Sequence, residues 1–237
     1  MKIHKLSVNP DILKIIALIT MTIDHLYKIV FPDAPEFFIM TEMIGRIAMP
    51  VFSGLIMYHL ATKKIFKKYL CRLIIFGLLA VILFFPFQYN GHSACVPLNI
   101  LITFAYSILT IGLIEYIQKH TDVAPYIRYL FSLLVILLLL PFSALTEYSF
   151  NGFCFLLCFY FYYSKPNVYR LVPLALAALY LNRFGIGGFC SLLTTLFIVN
   201  TDRTKTYPRL IKHWYTFYIY YPLHRVLFYA IAYLIFS

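Results

Sequence analysis

The chain has 237 residues, of which 62% are apolar, 19% aromatic and only 12% charged, with a mean hydropathy of +0.82. A water-soluble domain carries about 25% charged residues because a large surface must stay wetted, so this composition excludes an ordinary soluble globule and asks for lipid as solvent. The formal charge of +11 does not call for a nucleic-acid partner, since the basic residues sit in short segments between hydrophobic runs and not among groove-reading motifs.

In chain order, hydrophobic runs fall at 11–30, 38–60, 69–85, 98–117, 126–140, 152–163, 168–181, 188–199 and 217–236. The expected fold is all-α: a polytopic transmembrane helical bundle of about nine spans, forming a single domain over 1–237 with a cytoplasmic N-terminus. The sixth to eighth runs are short against the roughly 20 residues that a spanning helix needs, so one of them is a candidate re-entrant segment. No cleavable signal peptide is expected, because the first run is long and is followed by further runs, not by a small-residue cleavage site. Orientation follows from charge: with the N-terminus inside, sixteen Lys and Arg residues fall in inner segments against two, Lys28 and Arg183, in outer ones. Arg46 and Arg225 lie inside runs, and the longest polar stretch, 201–212, becomes an inner loop. Such an excess predicts the cytoplasmic side.

Ionisable residues inside spanning helices cost about 2.5–3.5 kcal/mol each on insertion scales and mark cavities or partners. The first run carries Lys14, Asp24, His25 and Lys28, the second Glu42 and Arg46, and the last His224 and Arg225. Lys14 and His25 are eleven residues apart, close to three turns, so they share one helix face about 16 Å apart. A cation at one mouth with a base deep on the same face suits a channel for an elongated anionic ligand; a snorkelling lysine with a packing histidine fits the same spacing. Asp24 points about 100° from His25 and has Lys28 as its i+4 partner, while Glu42 and Arg46 form a second such pair. Either acid can instead bond across helices, which would bring Arg46 beside His25. Pro222, two residues before His224, and Pro50, four after Arg46, free backbone carbonyls as at membrane cavities. Gln88, Asn99 and Glu147 share the outer side. Five cysteines, Cys71, Cys95, Cys154, Cys158 and Cys190, have no metal-ligand spacing, so buried free thiols and no metal are expected.

Several segments resemble the TraX family of membrane proteins, named for a conjugative-pilus pilin acetylase. They are Leu13-Lys-Ile-Ile-Ala-Leu-Ile-Thr-Met-Thr-Ile-Asp-His, Ile44-Gly-Arg-Ile-Ala-Met-Pro-Val-Phe, Tyr69-Leu-Cys-Arg-Leu, Asn99-Ile-Leu-Ile-Thr-Phe, Glu147-Tyr-Ser-Phe-Asn-Gly and the stretch 218–227. Glu147 stands where similar sequences tend to have Asp. Membrane acyltransferases that modify sugars are similar in carrying Arg or Lys, ten residues, then His in the first span, the spacing of Lys14 and His25. The resemblance implies an integral membrane acyltransferase of the bacterial cytoplasmic membrane, moving acetyl from cytoplasmic acetyl-CoA to an amine or hydroxyl acceptor at the outer face; a pilin, a peptide and a surface glycan stay open as that acceptor. It implies His25 as the catalytic histidine, as general base or transient acyl carrier, and raises Arg46. With it, Asn99 and Arg46 are expected to hold an oxyanion, Asp24 or Glu42 to tune the histidine's charge, and His224 to join the catalytic set. Lys14, Lys63 and Lys64 are expected to receive the CoA phosphates. Two rival readings are a transporter or lipid flippase with an intramembrane charge pathway, which lacks the paired interrupted helices many transporters show, and a non-catalytic partner of an assembly machine.

Overall fold

The computed structural model describes residues 6–31, 39, 41, 43–88 and 98–236. Nine α-helices occur among them: α1 (Pro10–Val30), α2 (Ala48–Lys63), α3 (Phe66–Gln88), α4 (Ile100–His120), α5 (Pro125–Leu139), α6 (Ser149–Ser164), α7 (Val168–Tyr180), α8 (Ile186–Val199) and α9 (Thr216–Phe236). The only extended pairings among the described residues are two isolated bridges, Leu6 with Thr201 and Leu98 with Thr146. Each expected hydrophobic run therefore coincides with a helix. Glu42, Cys95 and residues 89–97 of the expected outer loop lie outside the described residues.

Local chemistry fixes the helix starts. Asn9 caps α1, its Oδ1 accepting the Asp11 N–H at 2.8 Å, and Pro10 supplies a first-turn residue whose missing N–H is no loss. Asn99 caps α4 and Asn167 caps α7 in the same way. Pro50 lacks an N–H, so the Arg46 carbonyl loses its i+4 donor. The chain breaks into a turn at Arg46 and Ile47 before α2 begins. That break turns Arg46 out of the regular helix.

Span by span, the picture is finer than nine equal crossings. Four helical segments, Met43–Lys63, Phe66–Phe85, Ile100–His120 and Pro125–Leu145, are long and apolar enough to cross a membrane. Helices α1 and α9 have 21 residues each and are not in that set. Helices α6, α7 and α8 have 16, 13 and 14 residues, about 24, 20 and 21 Å at 1.5 Å per residue, short of a hydrocarbon core of about 30 Å. In α6 the shortness goes with deep burial: Phe153, Phe155, Phe159 and Tyr160 are essentially inaccessible. It packs against α2, α4 and α7 as an internal helix.

The helices close a ring in the order α1, α2, α6, α4, α3, α9 and back to α1, each packed on the next. Helix α5 lies outside on α4, and α8 packs on α2 and α7. Helix α5 turns Leu130, Leu133, Leu134, Leu137 and Leu138 outward, an apolar surface suited to lipid. Two glycines permit close approach: a Cβ at Gly54 would overlap Ile198, where α8 packs on α2, and one at Gly45 would overlap the Asp24 carboxyl on α1. The described cysteines are all free, with Cys154, Cys158 and Cys190 half-buried; Cys71, expected to be buried, is exposed on α3.

Candidate functional site

The ring encloses a cavity of about 530 Å³ that runs along α1 from Pro10, Asp11 and Lys14 to Asp24 and His25. A second cavity, of about 390 Å³, begins where the first ends and is lined by Asp24, His25, Lys28, Arg46, Glu147, Tyr148, Arg225 and Tyr229. Asp24, His25, Glu147 and Tyr148 line both. Lys14 and His25 thus share the cavity face of α1, at opposite ends of the larger chamber.

His25 and His224 are joined directly. His25 Nδ1 lies 2.7 Å from His224 Nε2, and the rings are nearly parallel, 12° apart. His224 Nδ1 lies 2.8 Å from the Tyr220 carbonyl oxygen. A carbonyl only accepts, so this network assigns the proton on Nδ1 of His224. Neutral His224 then presents a lone pair on Nε2, and His25 must donate Nδ1–H to it. The remaining lone pair of neutral His25 is left on Nε2, at the meeting of the two cavities. Packing holds the relay rigid: His224 is buried and stacks on Tyr220 with centroids 5.0 Å apart, and the Tyr220 hydroxyl bonds Thr22 at 2.6 Å, tying α9 to α1.

Around the histidines, each polar side chain is held by a neighbour. Lys28 donates to Asp24 Oδ2 at 2.8 Å, the expected i+4 pair. Glu147 is carried to the site by a short stitch: Leu98 N–H donates to the Leu145 carbonyl and Glu147 N–H to the Leu98 carbonyl. Its Oε2 accepts from the Ile100 N–H at 2.8 Å, at the positive end of α4, and from the Tyr221 hydroxyl at 3.3 Å. The Arg46 guanidinium hydrogen-bonds Tyr148 and its stem packs on Gly187.

Asn99 does not join this group. It is buried, its Oδ1 caps α4 and its Nδ2 donates to the Gly77 carbonyl at 2.8 Å; it lines neither cavity. Tied to two backbone groups and lining neither cavity, the amide is not placed to face a reacting oxygen there.

The opposite end of the larger cavity is basic. Lys14, Lys68, Arg72, Arg209 and Lys212 line it, with His59, His213 and Trp214. Lys14 Nζ lies 2.8 Å from Asp11 Oδ1, and Asp11 Oδ2 accepts from the N–H groups of Leu210 and Ile211, which pins the 201–212 loop over the mouth. The Arg72 guanidinium lies 3.6 Å from the Trp214 ring centre. Lys63 and Lys64 do not line the cavity. Lys64 is occupied elsewhere, 2.9 Å from Glu115 and 2.6 Å from the Tyr160 hydroxyl. Of the three cations expected at the CoA phosphates only Lys14 lines this cavity, and the other basic residues there belong to α3 and to the loop before α9.

Sequence reasoning gave no role to Arg72, Trp214, Tyr148 or Arg225, and left Glu147 undecided. Arg225 had a legible signal as an intramembrane cation, and Glu147 and Tyr148 fell within a family-like segment. Arg72 also fell within such a segment, Tyr69-Leu-Cys-Arg-Leu, but was counted only as an orientation charge.

The described residues define a class of protein, an all-helical, membrane-type bundle with a histidine pair where two cavities meet. The profile of the TraX protein family matches residues 9–232, and the chain belongs to the TraX family. No curated protein and no solved structure matches it.

Proposed function

We propose that this protein is an integral membrane acetyltransferase that takes acetyl from acetyl-CoA at the basic end and delivers it to an amine or hydroxyl acceptor entering the second cavity. One observation carries the reading: two cavities meet at His25, whose Nε2 is left as the free base by the pair with His224. Family membership supports it. Lys14 and its basic neighbours receive the CoA phosphates, and the about 16 Å along α1 from Lys14 to His25 suits an extended pantetheine arm. His25 Nε2 takes the proton as the acceptor nitrogen or oxygen attacks the thioester carbonyl. Arg46 faces the negative charge that develops on the carbonyl oxygen. The carbon–sulfur bond then breaks, the CoA thiolate takes the proton back from His25, and the acetylated acceptor and CoA leave.

Purified protein should consume acetyl-CoA only when acceptor is present, with one acetyl appearing on acceptor per CoA released. Movement of acceptor across a bilayer without acetyl-CoA consumption would make the protein a transporter instead.

In this reading the N-terminus is cytoplasmic, in the bacterial inner membrane. Reporters within 63–68 and 201–212 should then be inside, and reporters within 89–97 and at Ser237 outside. A cytoplasmic C-terminus would show an even number of crossings, which the short α6, α7 and α8 make the first place to look.

Lys14→Ala should weaken acetyl-CoA binding about tenfold, equivalent to about 1.4 kcal/mol, and the donor affinity of the parent protein should fall as salt rises. Isothermal titration on folded protein measures both. Unchanged affinity in the variant would take Lys14 out of the donor site and leave it as the partner of Asp11.

A further inference from the structure

The second cavity is lined by a cation, Arg225, that has no salt bridge to any described carboxylate. Arg225 sits mid-helix in α9 and lines this cavity. Its two terminal nitrogens donate to phenols only, NH1 to Tyr221 at 3.2 Å and NH2 to Tyr229 at 3.4 Å. Its Nε is buried without a hydrogen-bond partner, and the ring of Phe84 covers one face at 4.6 Å. No carboxylate among the described residues forms a salt bridge with it. The nearest candidate, Glu147, is held off by the Tyr221 hydroxyl, which accepts from Arg225 and donates to Glu147. Lys28 cannot help neutralise the cavity, being itself cationic and paired with Asp24. A guanidinium inside an apolar bundle is costly without a paired anion, and its planar fork matches a phosphate or carboxylate.

We infer that the second cavity contains an oxyanion site built on Arg225, so that the ligand it receives carries a phosphate or carboxylate group. That this ligand is the acetyl acceptor, its acid group anchored on Arg225 while its nucleophile reaches His25, rests on the acetyltransferase reading; the oxyanion site itself does not.

The test is phosphate binding to purified full-length protein in phosphatidylcholine nanodiscs at constant ionic strength, using inorganic phosphate and O-phosphoserine as probes. Saturable binding is expected, weakened about tenfold in Arg225→Gln, which corresponds to about 1.4 kcal/mol. Arg225→Lys keeps the charge if the glutamine variant does not fold, and should bind with intermediate affinity because the bidentate fork is lost. Exchanging phosphatidylcholine for phosphatidylglycerol distinguishes the source: a fall in probe affinity means a lipid headgroup occupies the site, and no change means a soluble or polymer-borne anion. Equal probe binding by the parent, glutamine and lysine proteins overturns the oxyanion site, whatever the transfer assay gives. Phosphate that binds at Arg225 without competing against acceptor in that assay overturns the acceptor assignment alone. Absent acetyl transfer with intact, Arg225-dependent binding overturns the transferase reading and leaves the site standing.

Discussion

His25→Gln is expected to abolish acetyl transfer while the protein still folds, inserts and binds acetyl-CoA. A glutamine amide can replace the Nδ1–H donor that satisfies His224 Nε2, so the contact between α1 and α9 survives. It cannot take up a proton at neutral pH, so the base that the reaction needs is gone; general base catalysis contributes roughly 10²–10⁴-fold. His25→Ala should be equally inactive and also less stable, since it leaves the buried His224 Nε2 without a donor, a defect of about 1–3 kcal/mol. His224→Ala acts one step removed. It leaves the His25 ring without the acceptor that fixes its tautomer, so turnover should fall while donor affinity holds. The measurement is acetyl transferred per folded molecule, with acetyl-CoA binding measured alongside. Substantial transfer by His25→Gln would sink the assignment of His25 as base and make the histidine pair a structural clasp.

Gly45→Ala should strongly reduce the amount of folded protein. A methyl group there would occupy the space of the Asp24 carboxyl, which Lys28 already holds in place. Asp24 is too short to swing clear without leaving Lys28, so α1 and the segment entering α2 must separate; overpacking of this kind costs about 1–3 kcal/mol. Because α1 carries His25 and that segment carries Arg46, the survivors should also be slow enzymes. The paired test is Gly45→Ala with Asp24→Ala. Removing the carboxyl makes room for the methyl, and Lys28, which is largely exposed, can turn to solvent. The double variant should recover folding relative to Gly45→Ala alone, a coupling that a thermodynamic cycle measures. Additive losses would show that the two residues do not share that space.

Much of the helical framework was legible because helices are local. Each hydrophobic run became a helix, and Asp24 with Lys28 formed the pair that i+4 spacing dictates. Lys14 and His25 lined one cavity because eleven residues complete about three turns. The resemblance carried by Asp24-His25, Gly45-Arg46 and the 218–227 stretch agreed with the family match over 9–232. Asn99 misled for an equally local reason: a polar residue at a helix entrance looks the same whether it caps the helix or faces a ligand. Its two backbone partners, Leu101 and Gly77, decide the matter, and Gly77 belongs to a different helix.

The sequence by itself determined the solvent, the helical class, the positions of the helices and which of them carry ionisable groups, because composition and 3.6-residue periodicity are written in the order of residues. Tertiary structure alone decided the order of helices around the ring. Helix α9 comes last in the chain yet packs between α1 and α3, and this brings His224 to His25 across 199 residues. The same closure puts Arg72 and the loop before α9 at the mouth where Lys63 and Lys64 were expected. It also sends Lys64 to Glu115 and Tyr160. Apolar helix surfaces can pack on one another in many orders, and no local pattern distinguishes them. The choice falls to the few close fits, such as Gly45 against Asp24 and Gly77 against Ile102, and to polar pairs that find partners only when the ring closes, since in an apolar surrounding an unpaired polar group is too costly to leave.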